Sequence, residues 1–241
     1  MLPDAMSFDE YRSSVRARWP NAFAIASEAL SVLEPAVATE RTHADELFLA
    51  LDMLFVQSYK GLASVVVLVE HGHTEDAATI TRRLLELGCS AGYMGYAEPE
   101  EERRRRSRRF LAALWNELEA DARQRVPPQA AQYWQAIADG VPRTGALPSF
   151  QAILAGLGHK DTYDQDYRFL SQIAHGASPD QLLAFSGPRV VIRPLTQLGT
   201  VLVFGVRYAM ASATVWDDYY SIIPRDAIAT IQQRVTDWVV E

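Results

Sequence analysis

The sequence predicts an all-α protein, a single-domain helical bundle, and three observations carry that reading. Two long runs, 44–70 and 195–220, are apolar on nearly every face, as helices at the centre of a bundle are. Serine, threonine, proline and glycine recur along the chain at spacings that start and stop helices. Strand-like composition is confined to 189–193, too short to found a sheet, so at most a short hairpin near 183–193 is expected. On this reading 1–241 form one domain, with 44–97 and 162–221 as the central bundle and the helices of 1–40 at its periphery.

Taken in order, Ser7 and Glu10 form a capping box that opens a first helix, which Pro20 ends or kinks. A second helix, 21–33, is expected to stop at Glu34-Pro35, because the residue before a proline is pushed out of the helical region. Thr39 and Thr42 are the candidate caps of the third and longest helix, 44–70. Gly72 closes it, and Thr74-Glu75-Asp76 opens a fourth, 75–97, with a cap and two acids at its positive end. The tight turn between them makes these two helices antiparallel neighbours. Gly88, Ala91, Gly92 and Gly95 line one side of the fourth helix. Each glycine costs a helix interior ~1 kcal/mol relative to alanine, so small size here is expected to serve close approach of another helix.

Pro99 begins a fifth helix that runs to about 125, Val126-Pro127-Pro128 breaks it, and 129–139 form a shorter one. The irregular stretch 140–148 reads as an exposed loop, after which Pro148 starts a short helix to about 157. The next helix, 162–176, has both ends written into it: Thr162 with Gln165 as a capping box, and Gly176 as the stop. Ser178-Pro179-Asp180-Gln181 is a further helix start, and Gly187-Pro188 a turn. Pro194 opens the second apolar helix, to about Tyr220, and Pro224 the last, amphipathic one.

Composition narrows the function. Hydrophobic residues at 49% and charged residues at 22% are those of a globular chain rather than a disordered one. The single cysteine, Cys89, excludes an internal disulfide and a cysteine-based zinc cluster, and points to a reducing, cytoplasmic compartment. The start M-L-P-D-A-M lacks the basic and apolar pattern of a secretory signal. The apolar run 61–69 is too short to span a bilayer and 195–215 carries Arg207 in its middle, so no membrane partner is expected. A net charge of −7 repels polyanions at long range, so any nucleic-acid contact must be local.

The arginine run 103–109 is a candidate phosphate contact. Glu100, Glu101 and Glu102 nevertheless stand four residues before Arg104, Arg105 and Arg106, the favourable order for helical ion pairs, so a salt-bridged solvated helix start is expected. His71 and His73 lack a third ligand at a recognisable spacing, and no metal or cofactor is expected. Cys89 sits among small residues and reads as a packing residue. No G-x-S-x-G, P-loop or dinucleotide fingerprint is present. In the fourth helix Arg82 and Glu86 are spaced as an i, i+4 pair among leucines. A surface pair is the default; if they are buried, Tyr59, Tyr93, Tyr167, Arg168, Ser171 and His175 are the available partners, which would join the central helices to the 162–176 helix through one polar cluster.

Arg168 and His175 stand seven residues apart, two turns of helix, and therefore point the same way. Two readings of this face stay open. One is a solvated or packing-related polar face on a non-catalytic module that binds a protein or a small molecule. The other is chemistry: histidine exchanges protons near neutral pH, and an arginine fork can hold a phosphoryl group in its transition state. Together they suit metal-free cleavage of RNA by its own 2′-hydroxyl.

Arg168-(six residues)-His175 resembles the R-x(4 to 6)-H motif of the HEPN superfamily (higher eukaryotes and prokaryotes nucleotide-binding). With G-L-A-S-V-V-V-L-V-E-H-G (61–72), R-R-L-L-E (82–86) and Y-R-F-L-S-Q-I-A-H (167–175), it looks like a bacterial family of helical proteins related to that superfamily. The likeness covers roughly 59–177. It implies a HEPN-like helical fold, an RNA or nucleotide substrate and a metal-independent ribonuclease of toxin or defence type. It also implies a homodimer with paired motifs facing one cleft. His175 and Arg168 would be catalytic, with Tyr167, Ser171, Arg82 and Glu86 in support. The chain departs from the pattern at Phe169, where HEPN nucleases usually carry a polar residue.

Overall fold

A computed structural model describes residues 7–141, 147–175 and 197–238. Among the described residues all regular structure is helical, which makes the protein all-α. The expected helix start at Ser178, the turn at Gly187-Pro188 and the hairpin near 183–193 lie outside the described residues.

Helix α1 (Phe8–Arg18) opens on the expected capping box: Glu10 N–H donates to Ser7 Oγ at 3.3 Å and Ser7 N–H to Glu10 Oε2 at 2.8 Å. Trp19 breaks the helix and Pro20 takes the first position of α2 (Pro20–Ala38). The expected stop at Glu34-Pro35 does not occur, since α2 runs through Pro35 for another turn. Proline forfeits one backbone bond, and burial of Leu33 and Ala36 holds that turn in place. Thr39 Oγ1 donates to the Pro35 carbonyl at 2.8 Å, and the Arg41 guanidinium donates to that of Ala36, satisfying the helix end. Helix α2 packs onto the bundle through one buried face, with Ala22, Phe23, Ile25, Ala26, Ala29 and Leu33 all buried.

Because Thr39 is occupied at the end of α2, it does not cap α3 (Glu46–Glu70). Asp45 does, accepting from Leu47 N–H at 2.9 Å and Phe48 N–H at 3.2 Å. Gly72, at φ +74°, turns the chain into α4 (Thr74–Gly95). The fifth helix is shorter than expected, and the chain continues as α5 (Glu100–Glu117), α6 (Ala120–Gln124) and α7 (Pro128–Asp139). Ser149, rather than Pro148, caps α8 (Phe150–Gly156), accepting from Ala152 N–H at 3.2 Å.

The helix expected over 162–176 begins two residues earlier. It consists of α9 (Lys160–Thr162), a π-helical turn (Tyr163–Tyr167) and α10 (Arg168–Ala174). Thr162 is itself helical and makes no capping bond, so the Thr162–Gln165 capping box is not formed. Gly176 lies outside the described residues. The second apolar helix is α11 (Leu198–Tyr220), and α12 (Arg225–Asp237) follows Pro224 as expected.

Helices α3, α4 and α11 pack against one another at the centre, with α2, α5, α10 and α12 around them. Phe55 of α3 stacks on Trp216 of α11 at 4.2 Å between centroids, and Trp216 stacks on Tyr220 at 4.5 Å. Both α3 and α11 are long and apolar enough to cross a membrane by length and composition. In this bundle 72% of the most apolar window of α11 is buried, against 33% for α3. Helix α11 is therefore the innermost one, and α3 presents part of its apolar surface outward.

The glycines make this packing testable. A Cβ at Gly199 would lie 2.6 Å from the ring of buried Trp19, which cannot swing away, whereas nothing lies within 4 Å of one at Gly156. Gly199→Ala is expected to destabilise the fold by about 1–3 kcal/mol through overpacking. Gly156→Ala should be neutral or stabilise by up to about 1 kcal/mol. Urea unfolding of both variants checks the contrast.

Candidate functional site

The face of α10 is built by its anchoring. Leu170 and Ile173 are buried, Phe169 meets Phe204 of α11 edge-on at 6.0 Å, and α10 lies across α4. The π-helical turn just before it places Tyr163 and Tyr167 parallel, 5.0 Å apart and 12° from coplanar, with Phe150 against Tyr167 at 5.0 Å. A π turn inserts one residue into a helix and re-aims the side chains around it.

The structure brings some of the expected site residues together and separates others. The Arg82 guanidinium lies over the Tyr167 ring at 5.6 Å, so α4 and the turn before α10 do meet through a polar contact. Arg82 does not pair with Glu86. Glu86 accepts from Arg83 Nη1 at 3.1 Å instead, because the packing of α10 draws Arg82 toward Tyr167. Glu86 lines a separate cavity of about 210 Å³ with Arg83, Tyr93 and Phe150. The Ser171 hydroxyl is buried without a hydrogen-bond partner among the described residues. Arg168 and His175 are both exposed. Arg168 keeps 66% of its side-chain surface and, among the described residues, has one ion pair, to Asp164 at 3.6 Å.

A second polar centre, which the sequence reading passed over, joins the same π turn to α11. Asp166, 13% exposed, accepts from the Tyr208 hydroxyl and from Arg207 Nη1 at 3.2 Å. Burial, then the bond to Asp166, raise the Tyr208 phenol well above its ordinary range, so it is a fixed donor. The sequence sign of it was Arg207, a charge in the otherwise apolar middle of α11, although its side chain is half-exposed rather than buried. Behind this centre lies a cavity of about 360 Å³ between α4, α8, α9, α11 and α12. Cys89 forms part of its wall, and burial, then the Glu86 carboxylate, push that thiol up to about 12. It stays protonated and unreactive near neutral pH, as a packing residue should.

The arginine run is engaged in ion pairs. Glu100 holds Arg104 at 2.7 Å and Glu102 holds Arg106 at 2.7 Å, both at the expected i, i+4 spacing, while Arg105 turns to Glu102 at 2.6 Å. Arg104 and Arg108 also tie α5 to α3 through Asp45 at 3.4 Å and Glu46 at 3.0 Å. The turn at His71 is likewise occupied locally, its Nδ1 donating to the Val67 carbonyl at 2.7 Å.

Fold and site together define an all-helical protein whose exposed Arg168–His175 face is carried on a helix anchored across a three-helix core. Residues 48–184 match a family of unknown function, DUF5677, and the chain belongs to that family. The match includes α4, the π turn, Arg168 and His175, and ends before α11. No curated protein and no solved structure matches the chain.

The paired carboxylate of Glu102 gives a pH prediction. Hydrogen bonds from Arg105 and Arg106 lower it from 4.5 to about 2. A depressed folded-state value means that the contribution is present above about pH 4.5 and is lost as the pH falls toward 2. Glu102→Gln should cost up to about 1 kcal/mol at pH 7, because the pairs are partly solvated. In urea titrations the gap between wild type and variant should narrow steadily below pH 4.5.

Proposed function

We propose that the protein acts on RNA or a related nucleotide as a metal-independent, HEPN-like phosphodiesterase, with His175 as acid and base and Arg168 as phosphate ligand. The observation that supports this reading is the joint exposure of the two side chains on one helix. An axial rise of about 10 Å separates them, a distance that an extended arginine and an imidazole cover between them when both reach for one phosphate. The single exposed ion pair to Asp164 competes weakly with such a ligand, since exposed pairs contribute at most about 1 kcal/mol. Arg82 and Tyr167 support the helix from beneath, and a second copy would set another Arg168–His175 face opposite the first.

In this reaction the 2′-oxygen forms a bond to phosphorus, its proton passes to His175, and the bond to the 5′-oxygen breaks. The leaving oxygen takes a proton from the protonated His175 imidazole, giving a 2′,3′-cyclic phosphate and a 5′-hydroxyl end. Arg168 donates to the non-bridging oxygens as charge gathers on them.

Wild type should cleave RNA in the presence of a chelator and leave cyclic phosphate ends. His175→Ala should lower the rate by roughly 10²- to 10⁴-fold. Because the imidazole is exposed, the same variant should change stability by no more than about 0.5 kcal/mol. A wild-type protein inert toward structured and single-stranded RNA, at monomeric and dimeric concentrations, would sink the proposal.

A further inference from the structure

We propose that the 360 Å³ cavity behind the π turn is a binding site for a small, largely apolar carboxylic acid. The cavity has the size of a small-ligand pocket. Its inner wall is buried and apolar, with Leu85, Leu154 and Val215 beside the backbones of Gly88 and Gly92. Its mouth carries exposed Arg207, His159 and Gln232. Although the protein carries a net charge of −7, no aspartate or glutamate among the described residues lines the cavity.

Gly92 is the observation that separates this cavity from a packing gap. The other glycines of α4 are required by close contact: a Cβ at Gly95 would lie 2.5 Å from Val215 and one at Gly88 3.2 Å from the Tyr208 carbonyl. A Cβ at Gly92 would meet Leu157 at 3.6 Å, an ordinary contact. Packing therefore permits alanine there, and alanine would stabilise the helix by about 1 kcal/mol. What glycine preserves at this position is space inside the cavity.

The charge at the mouth selects the ligand's polar end. Arg207 spends Nη1 on Asp166 and offers the rest of its fork outward. With Arg207 partly balanced by Asp166, a carboxylate monoanion meets less repulsion from that acid than a phosphate dianion would. The apolar part of the acid would lie along Gly92 and Leu157.

The probes are 1-naphthoate and octanoate, with 1-naphthylmethanol and octanol as uncharged counterparts, titrated into the full chain by calorimetry and thermal melting. Both acids should bind and raise the melting temperature. Arg207→Gln should weaken the acids about tenfold, a loss of the order expected for one charge-assisted contact, and leave the alcohols unchanged. Gly92→Leu should abolish binding of all four probes with the helical circular dichroism intact. Gly92→Ala, which the space accommodates, keeps the test open if leucine impairs folding, and should weaken 1-naphthoate more than octanoate. His175→Ala should bind the acids like wild type, so the result is independent of any RNA cleavage. Failure of both acids to bind wild type at millimolar concentration, or equal binding by the Gly92 variants, would overturn the proposal.

Discussion

The close approach of α11 to α3 and α4 is the constraint on which the rest of the structure depends. Three glycines make it possible: a Cβ at Gly88 would crowd the Tyr208 carbonyl, one at Gly95 would strike Val215, and one at Gly205 would sit 3.3 Å from Val65. Helices brought this near one another bury nearly complete side chains, among them Phe55, Leu62, Leu84, Val206 and Trp216. The same approach fixes Tyr208 beside α4, from where its hydroxyl reaches Asp166. The π turn is thereby tethered to α11, and the direction in which α10 leaves that turn follows from the tether. The position of Arg168 and His175 is thus set, through two intermediates, by the absence of side chains at Gly88, Gly95 and Gly205.

Around this centre, shielded carboxylates hold the outer elements, each through more than one donor. Glu70, 7% exposed at its side chain, receives Arg12 at 3.2 Å and also Arg16, fastening α1 to the end of α3. Asp52 receives Arg41 at 2.7 Å, Trp216 Nε1 at 3.1 Å and His43 at 3.3 Å, while the Arg41 guanidinium lies 4.9 Å from the Trp216 ring. Asp217 accepts from the backbones of Ile222 and Ile223 at 2.7 and 2.8 Å, which shapes the left-handed turn at Ser221 into α12. A carboxylate removed from water is tolerated only when its lone pairs are occupied. Each of these three therefore specifies a unique docking geometry for the segment that supplies its donors.

Much of this was legible in the sequence wherever the determinant is local. The Ser7–Glu10 capping box, the turn at Gly72 and the close contacts at Gly88 and Gly95 of α4 are read from neighbours within a few residues and stand in the structure, whereas Gly92, expected to serve the same contact, meets only an ordinary one. Errors arose where a distant residue decided the outcome. Pro35 reads as a stop, but Arg41 and the buried Leu33 and Ala36 carry the helix past it. Arg82 reads as the partner of Glu86, but the aromatic turn 163–167 competes for it from another helix. Asp166 and Arg207 are 41 residues apart in the chain. Periodicity within either helix gives no sign that they meet.

Phe169 brings the two halves of the structure together. The position directly after Arg168 is where the resemblance leads one to expect a polar group, and here it holds an aromatic ring packed edge-on against Phe204. With Leu170 and Ile173 buried beside it, Phe169 widens the apolar stripe by which α10 grips the core. A polar side chain at this place would have to point into the α10–α11 contact or abandon it. The chain has used the position for anchorage, so the solvent face retains Arg168, the partly buried Ser171 and His175. The backbone that carries Arg168 and His175 is therefore held by this apolar stripe, while both side chains stay exposed.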